Sequence, residues 1–142
     1  MTRSISQLEL PHSISLLEEL ASKSIEKGPF TYVHSGAGNE STLRANEAAF
    51  EDWCIVPQYL NDVSSRDTST TLLGTTFPSS FALAPIGVQS IFHPEGELAS
   101  ARAAAACGVP FIASTLSSYP LEEIAANLGD TPRWYQLYWS ND

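Results

Sequence analysis

The chain has few cysteines and little positive charge. Its 142 residues include only two cysteines, Cys54 and Cys107. These two lie far apart in dissimilar settings, so we expect buried thiols rather than a disulfide framework or a metal site. Seven Lys and Arg residues stand against sixteen Asp and Glu residues, which gives a net charge of −9. Because nucleic-acid binding depends on excess positive charge, this balance argues against a nucleic-acid partner.

Long apolar runs are missing as well. Although 43% of the residues are hydrophobic, every apolar run is short, whereas a membrane-spanning helix needs about 20 consecutive apolar residues. The opening segment MTRSISQLELPHS has neither a basic leader with an apolar stretch nor a small-residue cleavage site, so secretion has no support. We therefore expect a soluble cytoplasmic protein without a membrane partner, and a peroxisomal or mitochondrial location stays open.

The amino-terminal part of the chain has a helical pattern. Apolar residues at near-helical spacing predict a helix over 13–27, with Ser15 and Glu18 as a capping box and with Gly28 and Pro29 as its stop. A second helix is predicted over 41–53, after a glycine-rich turn.

An extended segment follows these helices. Between Ile55 and Ser80, the sequences TTLLG and TTFPS lie on the two sides of a turn at Gly74. Short β-favouring runs around a glycine predict a hairpin or paired β-arms.

Three apolar runs then alternate with two helical segments. The runs are FALAP (81–85), VPFIAS (109–114) and RWYQLYW (133–139), and the predicted helices cover 94–108 and 117–129, each closed by a glycine. This alternation is typical of parallel strands that are buried on both faces. Because a closed eight-stranded barrel takes about 250 residues, three strand–helix steps would make up well under half of one.

Two short motifs suggest binding sites that their context does not favour. Gly36 and Gly38 match the first two glycines of a dinucleotide-binding G-x-G-x-x-G, but Ser41 replaces the third and no good strand precedes them. A turn with positive φ is the alternative. The HPEGE segment at 93–97 resembles a metal cluster, yet it lies where a helix begins, and acidic residues there complement the helix dipole. We expect no metal site.

The residues after the three apolar runs are the candidates for a ligand site. In parallel α/β proteins, the carboxyl ends of the strands and their loops form that site. Here they carry small residues, a hydroxyl, an amide and a phenol, which favour a flat heteroaromatic ligand. The residues are Ala84, Pro85, Ile86, Gly87, Ser114, Gln136 and Tyr138.

Five segments in this order resemble the FMN-dependent 2-hydroxy acid oxidases and dehydrogenases. They are FTYVHSGAGNESTLRANEAAF, APIGVQ, HPEGELASARAAAACGVP, STLSS and YQLY, and together they span 30–138. Within that family the chain is most similar to lactate 2-monooxygenase and L-lactate oxidase. The resemblance implies the amino-terminal portion of a (β/α)8 TIM barrel that binds FMN, with helices and β-arms in 1–80 and the first three of eight β/α units in 81–142.

The resemblance also implies roles for particular residues. Tyr32 and Tyr138 match positions that contact the substrate. The strand-end residues Ala84, Pro85, Ile86 and Gly87 match positions packed on the flavin, and Ser114 and Gln136 match positions hydrogen-bonded to its ring. The family's catalytic His and its carboxylate-binding Arg come from later strands, so we assign no catalytic residue here and expect the base downstream.

The implied reaction is the oxidation of a small, lactate-like L-2-hydroxy acid. The product is the 2-keto acid or, in a monooxygenase-like reaction, its decarboxylated acid, with oxygen or another carrier as the electron acceptor. Gly87 occupies a position that the family associates with retention of the keto acid, and Leu116 stands where several members have an aromatic residue. The expected partners are a complementary carboxy-terminal barrel portion and further copies of the complete protein.

Two alternatives remain at this point. The chain could be a truncated, non-catalytic paralogue that acts as an interaction subunit, in which case a partner would cover its open sheet edge. It could also be an α/β domain of unrelated function.

Overall fold

The computed structural model describes residues 11–139 and divides the chain into two units, with the boundary between Pro57 and Gln58. We describe each unit by itself. None of the helices within 11–139 has the length and the apolar character that a membrane crossing requires.

The first unit consists of three short helices. They are α1 (Ile14–Ser24), α2 (Lys27–His34) and α3 (Ser41–Ala48), and a 3-10 turn, Ala49–Asp52, continues α3. The carboxylate of Glu18 on α1 lies 2.5 Å from Nδ1 of His34 on α2. This contact links the first two helices.

The predicted helix over 13–27 corresponds to α1, which ends at Ser24, three residues earlier than predicted. The cap of α1 is Ser13, whose Oγ accepts a hydrogen bond from the Leu16 N–H at 3.2 Å, so the predicted capping box of Ser15 and Glu18 is wrong. The N–H groups in the first turn of a helix have no partner within the helix. Pro29, which has no N–H, is therefore compatible with the start of α2. The same Gly-Pro pair that predicted a stop therefore lies inside the next helix.

The glycine-rich turn joins α2 to α3. A dinucleotide fingerprint would need a strand before its first glycine, but here a helix precedes Gly36. Gly38 has a φ of +57°, as the turn interpretation predicts.

The second unit begins with the predicted hairpin. Strand β1 (Thr70–Leu72) pairs antiparallel with β2 (Thr75–Phe77). The two loop residues, Leu73 and Gly74, have φ values of +50° and +79°, and a two-residue loop with positive φ at both positions matches the twist of the flanking strands.

The strand–helix alternation is also confirmed. Strand β3 (Phe111–Ala113) pairs in parallel with β4 (Arg133–Tyr135), and α4 (Gly96–Cys107) and α5 (Leu121–Leu128) flank β3 in the chain. The first apolar run contributes a single parallel bridge between Leu83 and Phe111. The three runs therefore lie side by side in chain order.

All three predicted strands are shorter than their apolar runs, and the run over 109–114 is a strand only from Phe111 to Ala113. Leu83 donates to Pro110 and accepts from Ile112, but Pro85 has no N–H with which to extend this pairing. The run over 133–139 forms a strand only to Tyr135. Beyond Tyr135 one more backbone bond follows, from the Gln136 N–H to the Ala113 carbonyl, and then the Thr115 side chain takes the place of a backbone partner.

The core of the second unit lies between the two helices and β3. Its buried residues are Ala101, Ala104, Phe111, Ala113, Ile124 and Leu128. The alanines of α4 are small, so this helix approaches the strand closely. The prediction of buried thiols is wrong: Cys54 and Cys107 are free and exposed, because Cys54 follows the 3-10 turn in an extended segment and Cys107 is the last residue of α4.

Candidate functional site

The loop after the first run lies directly against the loop after β3. The Val88 N–H donates to the Leu116 carbonyl at 2.9 Å. A methyl group at Gly87 would lie 3.0 Å from Leu116 Cβ and 3.3 Å from Ser114 Oγ. Glycine at this position therefore permits close approach of the two loops, and the second loop already fills the space that a side chain would take.

Ser114 connects the second and third strand ends. It is only 3% exposed. Its Oγ donates to Gln136 Oε1 at 3.2 Å and accepts from the Leu116 N–H at 3.1 Å. The Gln136 N–H donates to Ala113 at 2.8 Å, so backbone and side chain together fix this glutamine beside Ser114.

Thr115 is a site residue that sequence reasoning missed. Its hydroxyl donates to the Gln136 carbonyl and accepts from the Tyr138 N–H at 3.1 Å. These bonds replace strand pairing after the Gln136 N–H and hold the chain between Gln136 and Tyr138 in place. The only prior signal was the position of Thr115 directly after a predicted strand.

The first strand end presents an apolar surface. Ala84 is exposed, Pro85 is half-buried and Ile86 is 53% exposed. The carbonyl of Ile86 accepts from Gln89 Nε2 at 3.1 Å. The backbone of this segment is thus fixed by a hydrogen bond, while its side chains remain accessible.

The two predicted substrate tyrosines belong to different units. Tyr138 lies two residues beyond Gln136 and is 49% exposed. Tyr32 lies on α2 in the first unit and is 70% exposed. The structure thus brings together Gly87, Ser114 and Gln136, with Tyr138 nearby in the chain, and the role of Tyr32 stays a prediction.

Glu97, at the start of α4, is the second residue that sequence reasoning missed as part of this region. Its side chain is fully buried, with 0% exposure. Its Oε1 accepts from the N–H of Gln89 at 3.1 Å and from the N–H of Ser118 at 2.9 Å. The sequence indicated only that an acid lies near a helix start.

The acidic groups with lowered pKa values lie outside this region. The N–H of Ser64 lowers the pKa of Asp62, and the N–H of Ser69 lowers the pKa of Asp67 in the same way. Both carboxylates are exposed and stabilise local turns. The strand-end groups, in contrast, are hydroxyls, an amide and a phenol, which can bind and orient a ligand.

The strand-end residues fit a flavin ring. Ala84, Pro85 and Ile86 offer an accessible apolar surface. Next to them, Gly87 leaves the backbone without a side chain. Because Gln136 uses its oxygen toward Ser114, its amide nitrogen is the end suited to donate to a heteroaromatic ring. A flat ring with polar edges is compatible with this donor set.

Comparisons with known proteins agree with this geometry. Residues 21–142 match the model of the FMN-dependent dehydrogenase family. The chain is 46% identical to an L-lactate oxidase of Lysinibacillus sphaericus (strain C3-41), over 96% of this chain and 35% of that protein. It is 43% identical to a peroxisomal (S)-2-hydroxy-acid oxidase of Oryza sativa subsp. indica, over 91% of this chain and 35% of that protein.

A solved structure shows the same architecture. A crystal structure of mandelate oxidase superposes with a TM-score of 0.86 at 41% identity and covers 94% of this chain and 38% of that one. The chain spans about a third of the length of the curated relatives it matches. With a family match over most of its residues, the chain belongs to the FMN-dependent dehydrogenase family.

Proposed function

We propose that the complete protein is an FMN-dependent oxidoreductase that oxidises a small L-2-hydroxy acid, such as lactate, to the 2-keto acid. The observation that carries this proposal is the convergence of Gly87, Ser114 and Gln136 at the ends of neighbouring parallel runs. The relatives named above are enzymes, which favours an oxidoreductase over a non-catalytic interaction subunit.

In this proposal the chain supplies the first three β/α units of an eight-unit barrel. Residues 1–80 form the preceding helices and β-arms, and 81–142 form the barrel part. The remaining units come from a complementary carboxy-terminal portion, and the complete protein forms a homo-oligomer. The side-by-side order of the three runs supports this arrangement.

The chain's own residues would hold FMN and orient the substrate. Ala84, Pro85, Ile86 and Gly87 would pack on the ring, and Ser114 and Gln136 would hydrogen-bond to it. For Ser114 this requires its hydroxyl to exchange the bond to Gln136 Oε1 for one to the ring. FMN, when bound, supplies a two-electron acceptor for the hydroxy acid. Tyr32 and Tyr138 would position the substrate, and a base from the later part of the protein would remove its proton.

The fate of the product is a finer part of the proposal. We propose that Gly87 favours retention of the keto acid and hence a monooxygenase-like outcome. Oxygen would accept the two electrons and become hydrogen peroxide, and the peroxide would oxidise the retained keto acid to CO2, water and the acid that is one carbon shorter. The close packing of Leu116 on Gly87 supports a site closed on this side.

Purification of the intact protein tests the main proposal. We expect a yellow protein that contains FMN and oxidises L-lactate. A colourless intact protein that does not take up added FMN would refute it.

Substitution of the two tyrosines tests their assignment. We expect Tyr138→Phe and Tyr32→Phe to raise the KM for the hydroxy acid by roughly 10- to 150-fold, since a hydrogen bond to a charged group contributes about 1.5–3 kcal/mol, while FMN content stays unchanged. Tyr59→Phe is the matched control, because Tyr59 is exposed and lies outside the strand ends. Wild-type KM values in both site variants would contradict the assignment.

A further inference from the structure

A buried carboxylate links the two loops of the candidate flavin site. Glu97 is fully buried, and its Oε1 accepts hydrogen bonds from the backbone N–H groups of Gln89 and Ser118. Gln89 follows the first run, and Ser118 follows β3. A single oxygen atom therefore fixes the separation of two loops that begin at different strands.

The first of these loops is connected back to the end of the first run, at Ile86 and Gly87. The side chain of Gln89 donates from Nε2 to the carbonyl of Ile86 at 3.1 Å, and its Oε1 accepts from Ser100 Oγ at 2.6 Å. Because Glu97 holds the Gln89 backbone, a movement of Glu97 would be transmitted to Ile86 and to Gly87 beside it.

The second loop is held in the same way. The Oγ of Ser118 accepts a hydrogen bond from the Ser90 N–H at 3.2 Å. The N–H of Ser118 itself donates to Glu97. Ser117 Oγ donates to the Ser114 carbonyl at 2.8 Å. The position of Ser114 thus depends on a loop that Glu97 fixes at its far end.

From this network we propose that Glu97 is a positioning residue for the flavin, which acts by setting the distance between Gly87 and Ser114. This inference rests on the proposed function. Glu97 does not contact the ring-facing groups directly. It accepts hydrogen bonds from the loop backbones, and a negatively charged acceptor makes stronger bonds to N–H groups than a neutral one does.

The chemistry of the second carboxylate oxygen makes Glu97→Gln a sharp test. Oε2 of Glu97 is buried and has no hydrogen-bond partner within residues 11–139. An amide keeps the acceptor at Oε1, but it lacks the charge and places an N–H2 group where Oε2 has no acceptor nearby. A buried donor without a partner is unfavourable. The substitution therefore weakens the connection between the two loops, while the shape of the side chain is almost unchanged.

The test uses the intact holoenzyme and compares Glu97→Gln with Glu95→Gln. Glu95 is the matched control, because it lies two residues away but pairs with exposed Arg102. For Glu97→Gln we expect the Kd for FMN to rise about tenfold, from the loss of a charge-assisted bond, together with a shift in the visible absorption of bound flavin and a lower kcat at nearly unchanged KM. The control should match wild type in all three.

A second variant covers the case in which Glu97→Gln does not fold. Gln89→Leu removes the side-chain bond to Ile86 and leaves the Glu97 bonds to backbone in place. We expect a flavin absorption shift in the same direction. Wild-type Kd and spectrum in a folded Glu97→Gln protein, or an unshifted spectrum in Gln89→Leu, would overturn the inference. A wild-type protein that takes up no FMN would instead refute the proposed function.

Discussion

Replacement of Gly87 by alanine tests how tightly the two strand-end loops pack. The added methyl group would lie 3.0 Å from Leu116 Cβ and 3.3 Å from the Leu116 carbonyl oxygen. A Cβ atom cannot rotate away, so the Leu116 backbone has to move, and the Val88 N–H to Leu116 hydrogen bond of 2.9 Å lengthens.

The expected loss of stability is a difference of two terms. Overpacking of this kind costs about 1–3 kcal/mol. Gly87 does not have positive φ, so alanine fits the native backbone here. Because alanine also restricts the unfolded chain, it stabilises the folded state by about 0.4–1 kcal/mol. The difference of the two midpoints is about 1.3 kcal/mol, and we expect the free energy of unfolding of the intact protein to fall by about this amount, measured by urea denaturation.

Two further variants make this prediction specific. Leu116→Gly removes the opposing Cβ, so the double variant should lose less stability than the sum of the two single variants. Gly28→Ala is the control, since within residues 11–139 no atom beyond its chain neighbours and its own helix backbone lies within 4 Å of the added methyl group, and alanine favours the helix. A folded Gly87→Ala protein as stable as wild type, or strict additivity with Leu116→Gly, would refute the packing argument. An unchanged peroxide yield in Gly87→Ala would separately contradict the proposed role in product retention.

Three other substitutions probe the site and the core. Thr115→Val removes the hydroxyl that holds Gln136 and Tyr138, so both the Kd for FMN and the KM for lactate should rise, and a change in neither would contradict its role. Ser114→Ala leaves the glutamine without its donor and should raise the Kd for FMN with little change in KM, as measured by flavin fluorescence titration. Ile124→Ala empties a site with 1% exposure and should lower the free energy of unfolding by about 2–5 kcal/mol. A loss below 0.5 kcal/mol in urea denaturation would be inconsistent with this core.

Turn residues made part of the fold predictable. Gly74 indicated the hairpin, and Gly108 and Gly129 end the two helices of the second unit. Periodicity and strand–helix alternation were enough to predict parallel order. The same local signals were ambiguous at Gly28 and Pro29, where one dipeptide can end a helix or lie in the first turn of the next.

The site was predictable only where its chemistry is carried by side chains at strand ends. Ser114 and Gln136 were candidates because of their positions, and the structure joins them by a hydrogen bond. Thr115 was missed because its partners lie more than twenty residues away in the chain. Glu97 was missed because it joins Ser118, 21 residues away, to Gln89 in the loop before its own helix. No local pattern indicates that an acid at a helix start turns inward to bind two loops.

The close contact between Gly87 and Leu116 has a consequence for biosynthesis. The strand-end groups of the candidate site, from Gly87 to Gln136, lie within 50 consecutive residues. A ribosome adds this number of residues in roughly 3–10 s. Under the proposed function, in which further barrel units complete the protein, the two loops would meet before those units are made and would offer them a preformed surface.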